Sequence, residues 1–205
     1  MSTRPVRPLG VMILALLRER DMHPYEMMRL LRHRRENRLV SIQNGTFYNQ
    51  IAGLVRDGWI AEAGTDREGN RPERTTYTLL PAGAAEIVSW VRERLGSTDR
   101  PDEFAVALAE AHNLPREEVV VLLRQRVDQL ATLRDEYQGG YTGALAKPVD
   151  RQYLVELQRA IALLNADIEF TESLCADLAA GALQWGEPSE PHRASQHFIA
   201  GKDDA

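Results

Sequence analysis

The sequence predicts a mainly α-helical fold in two parts, the first of which also contains a two-stranded β-hairpin. Apolar residues recur at intervals of three and four along most of the chain, which is the helical period. Residues 59–79 instead hold two short runs rich in β-branched and aromatic residues, separated by a cluster of Gly, Pro, Asp and Asn. A polar joint at residues 97–101 then precedes a part that has helical patterns only.

The N-terminal part begins with three predicted helices. Residues 9–20 are apolar on most sides, which predicts a buried helix. Pro24 suits the start of a second helix, from Tyr25 to about Arg35, because proline has no N–H to leave unpaired in a first turn. A third helix follows a polar link, with Asn44 as its predicted N-cap and Gly58 at its end.

The strand candidates follow directly. Residues 59–63 and 75–79 are the predicted strands, and residues 81–95 form a fourth predicted helix. Three helices followed by a hairpin are the arrangement of a winged helix-turn-helix, in which the hairpin is the wing. We assign this domain to residues 1–97.

The C-terminal part, residues 98–185, predicts helices alone. They cover residues 102–112, 115–137 and 150–180. Glycines between the second and third of these helices are expected to end the helical structure and loosen the chain before Pro148. Residues 186–205 are polar and predict a disordered tail.

A narrow apolar seam runs along the last predicted helix. Its positions step by three and four, as the a and d positions of a coiled coil do. The pattern fits dimerisation of two copies of the chain, and it also fits packing against residues 115–137 of the same chain. The seam residues are Leu154, Leu157, Ile161, Leu164, Ile168, Thr171, Cys175 and Leu178.

Charge is unevenly divided along the chain. The formal net charge is −5. Residues 1–83 carry 13 Arg and 9 Asp or Glu, a net of +4, whereas residues 84–205 carry 12 Lys or Arg and 21 Asp or Glu, a net of −9. Contacts to an anionic partner need local positive charge only, so the basic N-terminal part is the candidate surface.

The composition also indicates the cellular compartment in which the chain is expected to function. Cys175 is the single cysteine, so the chain cannot form an internal disulfide, and a reducing cytoplasm is expected. No apolar run approaches the roughly 18 residues that a membrane span needs, so no membrane association is expected.

The third predicted helix carries the features of a DNA-reading helix. Phe47, Ile51 and Leu54 recur on one face, whereas small and polar residues occupy the other, which would let it approach base edges in a major groove. Asn49 and Gln50 have side-chain amides that pair with adenine. An ordinary amphipathic surface helix has the same periodicity. The predicted polar face consists of Thr46, Asn49, Gly53 and Arg56.

The loop between the strands is rich in arginine. Arg67, Arg71 and Arg74, with Asn70 at the turn, suit contacts to the phosphate backbone or the minor groove. The alternative is a solvated charged turn, because three acidic residues interleave with the arginines. These are Asp66, Glu68 and Glu73.

Three segments together resemble the PadR family of winged-helix regulators. They are HPYEMMRLL (residues 23–31), GTFYNQIAGLVRDGWI (residues 45–60) and RTTYTLLPAGAAEI (residues 74–87). They follow the family pattern HGYE, GTLYPAL and Y-x-L-T-x-x-G in the same order. Pro24 and Asn49 depart from that pattern, as does Leu80-Pro81 where Leu-Thr is common.

The resemblance implies a repressor without cofactor that binds double-stranded DNA as a homodimer, through its C-terminal helices, on a palindromic operator. It places Thr46, Tyr48 and Asn49 on the recognition helix and Arg71 and Arg74 on the wing. Asn44, at the start of the same helix, is predicted to be a further DNA-contacting residue. His23 and Tyr25 would lie near phosphates, although His23 equally suits a plain helix start. A small-molecule effector is also implied, with Trp90 as a candidate pocket residue or, alternatively, part of the core.

Other functions have less support. The sequence shows no Ser/His/Asp pattern, phosphate loop or metal-ligand spacing, so neither an enzyme nor a metal site is expected. The rival hypothesis is a protein-interaction module that uses a winged helix without DNA, which the acidic C-terminal half makes conceivable.

Overall fold

The computed structural model describes residues 6–66 and 74–186. The mainly helical fold class is confirmed, with three helices, an antiparallel hairpin and then helices only. The helices are α1 (Pro8–Glu19), α2 (Pro24–His33), α3 (Asn44–Arg56), α4 (Pro81–Leu95), α5 (Pro101–Ala109), α6 (Arg116–Leu145) and α7 (Val155–Ala180). The strands are β1 (Ile60–Asp66) and β2 (Arg74–Leu79), and 3₁₀ turns cover Glu36–Arg38, Ala111–Asn113 and Arg151–Tyr153.

The chain divides into two compact units. The first holds the described residues up to Val91 together with Ala105–Asn113, and the second holds Arg92–Phe104 and Leu114–Gly186. The predicted disordered tail lies outside the described residues, apart from Gly186. Across the described ranges, no helix combines the length and the apolarity that crossing a bilayer requires.

The core of the first unit forms around α1, which is buried on nearly every side because its residues are almost all apolar. α1 packs against α3 and β2. β1 and β2 pair antiparallel from Ile60 with Leu79 outward, with a bulge at Ala63. Met22 adds a short bridge to Tyr77, whose backbone N–H donates to the Met22 carbonyl at 3.1 Å.

Gly83 allows α4 to start close to the hairpin. A Cβ placed on this glycine would lie 2.3 Å from the backbone oxygen of Trp59, closer than such atoms can approach. The same oxygen accepts a hydrogen bond from the Leu80 N–H at 3.0 Å. Gly83, which lies within residues 74–87, is therefore required because no larger residue fits at this position.

The second unit is dominated by the antiparallel pair α6 and α7. The prediction that glycines interrupt the chain after Tyr137 is wrong, because α6 continues to Leu145. A glycine in an exposed helix costs only about 1 kcal/mol relative to alanine. The backbone hydrogen bonds of the helical residues before and after the glycines outweigh this cost. The last helix also begins later than predicted, at Val155, after a 3₁₀ turn.

Arg126 of α6 ties three segments of the second unit together. Its side chain is 2% exposed and pairs with Asp167 of α7 at 2.9 Å. It also donates to the Ser97 carbonyl at 2.6 Å. Its guanidinium carbon lies 3.6 Å from the ring centre of Phe104. A charge at this depth is tolerated because each of these groups replaces lost hydration.

Candidate nucleic-acid interface

Helix α3 has two chemically different sides. Phe47, Ile51 and Leu54 are buried in the first unit, which confirms the predicted apolar face. Thr46 and Asn49 are exposed, and so is Tyr48, whose ring meets that of Phe47 edge to face with centroids 6.4 Å apart. The helix thus presents hydrogen-bonding side chains to its surroundings while its apolar side is fixed in the core.

Gln50 occupies a different position from Thr46 and Asn49. Its side-chain nitrogen lies 2.8 Å from the point where a Cβ on Gly10 of α1 would stand. The Gln50 side chain therefore packs against α1 at Gly10 and is only partly exposed. Sequence periodicity could not distinguish Gln50 from Asn49, because the difference arises from the close approach of two helices.

The start of α3 differs from the sequence prediction. Gln43, not Asn44, is the N-cap residue, and it makes no side-chain capping bond in the described chain. Asn44 is the first helical residue, and its side-chain oxygen accepts from Arg32 at 3.4 Å. The predicted capping role of Asn44 is therefore wrong: its side chain faces α2 instead of turning back to the helix N–H groups.

The start of α2 carries His23 and Tyr25. His23 is the N-cap, and its Nδ1 accepts the backbone N–H of Tyr25 at 3.1 Å. This bond requires a ring nitrogen without a proton. The plain helix-start role of His23 is thus present in the structure, while Tyr25 is exposed and available to a partner.

The wing is described only near its base. Arg67, Asn70 and Arg71 lie outside the described residues. Arg74 begins β2 and pairs in register with Asp66 of β1. The proposed wing contacts therefore remain predictions.

A row of arginines on α2 and the following turn was missed. Arg29, Arg32, Arg35 and Arg38 are exposed. The run RLLRHRREN (residues 29–37) contains the signal, although its last residues also fit a polar link between two helices. Arg34 in the same run differs, because it lies largely buried and pairs with Glu19 at the end of α1.

The apolar seam of α7 faces α6 of the same chain. Leu154, Ile161, Ile168 and Leu178 are buried, whereas Leu157 and Leu164 are partly exposed. Packing within the chain, one of the two interpretations of this pattern, therefore accounts for the seam. Any additional role of these residues in dimerisation stays a prediction.

Trp90, the candidate effector residue, is 2% exposed in α4. A side chain this deeply buried belongs to the packed core, which is the second of the two interpretations of Trp90 given by the sequence. Its role toward an effector stays a prediction.

Comparison with known proteins identifies one family. Residues 13–89 match the transcriptional regulator PadR-like family. No curated protein matches the chain.

The chain is also similar to several solved structures. One is PadR of Bacillus subtilis in complex with operator DNA, which is 23% identical and has a TM-score of 0.39. The match covers 84% of this chain and 99% of that chain. The same protein in complex with p-coumaric acid gives 22% identity and a TM-score of 0.36, with 84% and 99% covered. The protein smu.1704 of Streptococcus mutans UA159 is 25% identical, with a TM-score of 0.34 and 45% and 82% covered.

Proposed function

Because residues 13–89 match the PadR-like family of transcriptional regulators, we propose that the chain is a regulator of this kind. It would bind duplex DNA as a homodimer and regulate transcription in the cytoplasm without catalysis. In this proposal α3 enters the major groove, while α2 and the wing hold the phosphate backbone. Repression and release by a small molecule are the further expectations that the family resemblance brings.

The division of α3 into a core face and a polar face carries the proposal. A recognition helix needs firm docking so that its outward side chains are held in a fixed register with the bases. Phe47, Ile51 and Leu54 supply the docking, and Thr46 and Asn49 the outward groups. Asn49 has the side-chain amide suited to adenine, whereas Gln50 is engaged against α1.

The arginine row supplies the charge that a phosphate backbone requires. Arg29 and Arg32 are exposed on α2, and Arg35 and Arg38 are exposed at the 3₁₀ turn between α2 and α3. Arginine binds phosphate in a bidentate manner, and each phosphate neutralised contributes about 0.9 to the slope of log affinity against log salt concentration. The wing residues Arg67, Asn70, Arg71 and Arg74 are proposed as further backbone contacts.

The homodimer is proposed to form through the second unit. Since α6 already covers the seam, the outward side of α7 is the better candidate surface, and Leu163 and Phe170 there are 52% and 53% exposed. They lie seven residues apart, two turns of a helix, and so on one side of it. Two recognition helices about 34 Å apart, or a multiple of that distance, would read two half-sites.

Capture of genomic DNA fragments by the purified protein tests the proposal. We expect enrichment of fragments that share an inverted repeat, with affinity that falls steeply as salt rises. Retention of no fragment at low salt would contradict it and favour the rival protein-interaction module. Ultracentrifugation of a Leu163→Ser, Phe170→Ser double variant tests the dimer, since this variant should sediment as a monomer while the wild type does not.

A further inference from the structure

Helix α3 packs against α1 at a buried glycine, Gly10. A Cβ placed on Gly10 would lie 2.8 Å from the side-chain nitrogen of Gln50 and 3.4 Å from its amide carbon. The same point lies 2.7 Å from Cγ2 of Val6, which is 5% exposed. The amide of Gln50 therefore fills a notch, the Gly10 notch, which is bounded by Gly10 and Val6 and exists because residue 10 has no side chain.

Gln50 stands at the boundary between the two sides of α3. At about 100° per residue, position 50 lies about 40° from Thr46 on the polar side and about 40° from Leu54 on the apolar side. Thr46 is exposed, whereas Leu54 is 0% exposed. The position on α3 thus permits the Gln50 side chain to lie along α1 or to extend with the polar side. The residues packed around it decide between the two.

The space on the polar side of Gln50 is open. Gly53, one turn later, has no side chain, and a Cβ on it would have the tip of the Arg56 side chain, at 3.7 Å, as its nearest described neighbour. A Gln50 amide extended in this direction would stand next to the exposed amide of Asn49. Both amides have the donor and acceptor that pair with adenine. Confinement in the Gly10 notch therefore leaves only one of these two amides on the side that faces bases.

We propose that Gly10 is a specificity-determining residue, although it lies in the core: its notch holds the Gln50 amide out of the groove, so that Asn49 pairs with adenine alone. This inference rests on the proposed function of α3 and adds a residue outside α3 to the determinants of sequence preference. A side chain at position 10 would expel the amide and so add a second reading group. Gly10 acts through Gln50 and is a positioning residue.

Alanine at position 10 should displace the Gln50 side chain and leave the helices in place. The two closest neighbours of the new Cβ, Cγ2 of Val6 and the amide nitrogen of Gln50, are ends of side chains, which rotate between staggered conformations. Gly83 differs, because a Cβ there would meet the backbone oxygen of Trp59. Gly10→Ala should therefore keep the urea midpoint of the wild type or raise it, since alanine also favours the helix.

Nuclear Overhauser contacts in the full chain test the notch itself, without DNA. In the wild type, the side-chain amide hydrogens of Gln50 should show contacts to the α hydrogens of Gly10. In Gly10→Ala, the contacts between the amide of residue 50 and residue 10 should be lost. Absence of the contacts from the wild type, or their persistence in Gly10→Ala, would overturn the proposal whether or not the chain binds DNA.

Selection from randomised duplexes by the full chain tests the consequence for sequence preference. Gly10→Ala should gain a preference for adenine of about tenfold at one more position of each half-site. Gln50→Ala should select the wild-type sequence, and so should the double variant Gly10→Ala, Gln50→Ala, because neither has a second amide to offer. Gly139→Ala, at an exposed glycine of α6, is the control for replacing a helical glycine and should also select the wild-type sequence.

Three results of this selection would each overturn the role of Gly10. They are an unchanged preference of Gly10→Ala, a preference altered by Gln50→Ala alone, and a gain that persists in the double variant. A wild-type chain that selects no sequence would refute the proposed function itself, and the role of Gly10 with it. Failure of the inference alone is therefore recognised by a wild type that selects a sequence and a Gly10→Ala variant that selects the same one.

Discussion

Replacement of Gly83 by alanine should destabilise the first unit, although alanine is the better helix former. The new Cβ would stand 2.3 Å from the Trp59 oxygen, 2.8 Å from a Leu79 methyl carbon and 3.1 Å from the Trp59 carbonyl carbon. Two of these three neighbours are backbone atoms, which cannot rotate away. Either the start of α4 or the entry to β1 must therefore move.

The magnitude follows from opposing contributions. A shift of about 0.7 Å or more is needed to bring the closest contact of 2.3 Å to a tolerable separation, and overpacking of this kind costs about 1–3 kcal/mol. The same movement strains the hydrogen bond from Leu80 to the Trp59 oxygen, which contributes about 1 kcal/mol. Helix propensity returns at most about 1 kcal/mol. We expect a net loss of about 1–3 kcal/mol in the free energy of unfolding.

Urea unfolding followed by tryptophan fluorescence measures the effect, because Trp59 and Trp90 both lie in the first unit. Gly53→Ala is the matched control, since its Cβ would meet only the tip of the Arg56 side chain at 3.7 Å. The control should be neutral or stabilise by up to about 1 kcal/mol. If Gly83→Ala were as stable as Gly53→Ala, the steric explanation of this glycine would be refuted.

Three further predictions concern the core and the surface. Phe47→Ala should lower the free energy of unfolding by about 3–5 kcal/mol, because the ring is 0% exposed, whereas Tyr48→Ala should change it by less than about 1 kcal/mol in the same urea titration. Asp167→Ala should cost about 2 kcal/mol by thermal unfolding, less than a fully buried pair, because its side chain is 31% exposed while that of Arg126 is 2% exposed. Arg29→Ala should weaken binding to all DNA sequences alike and reduce the salt slope by about 1 in fluorescence anisotropy; an unchanged slope would remove Arg29 from the interface.

Much of the fold could be predicted from local patterns. The apolar spacing of α3 located its buried side, and the interval from Pro81 to Leu95 was predicted with both ends of α4 in place. The end of α6 could not be predicted, because Gly139, Gly140 and Gly143 break a helix only on average. Here the helix passes through them to Leu145.

The site was less predictable than the fold because its details depend on long-range contacts. Gln50 and Asn49 are neighbours in sequence, yet only Gln50 meets Gly10, forty positions away. Asn44 has the chemistry of an N-cap but points to Arg32 of the preceding helix.

The most direct test of the central claim is the sequence preference of an Asn49→Ala variant, measured by selection from randomised duplexes beside the wild type. If α3 reads bases through this exposed side chain, the variant should lose preference at one position of each half-site, at a cost of about 1–3 kcal/mol, and bind random DNA as the wild type does. Equal losses on selected and random DNA, with no position relaxed, would contradict the assignment of α3 as the recognition helix.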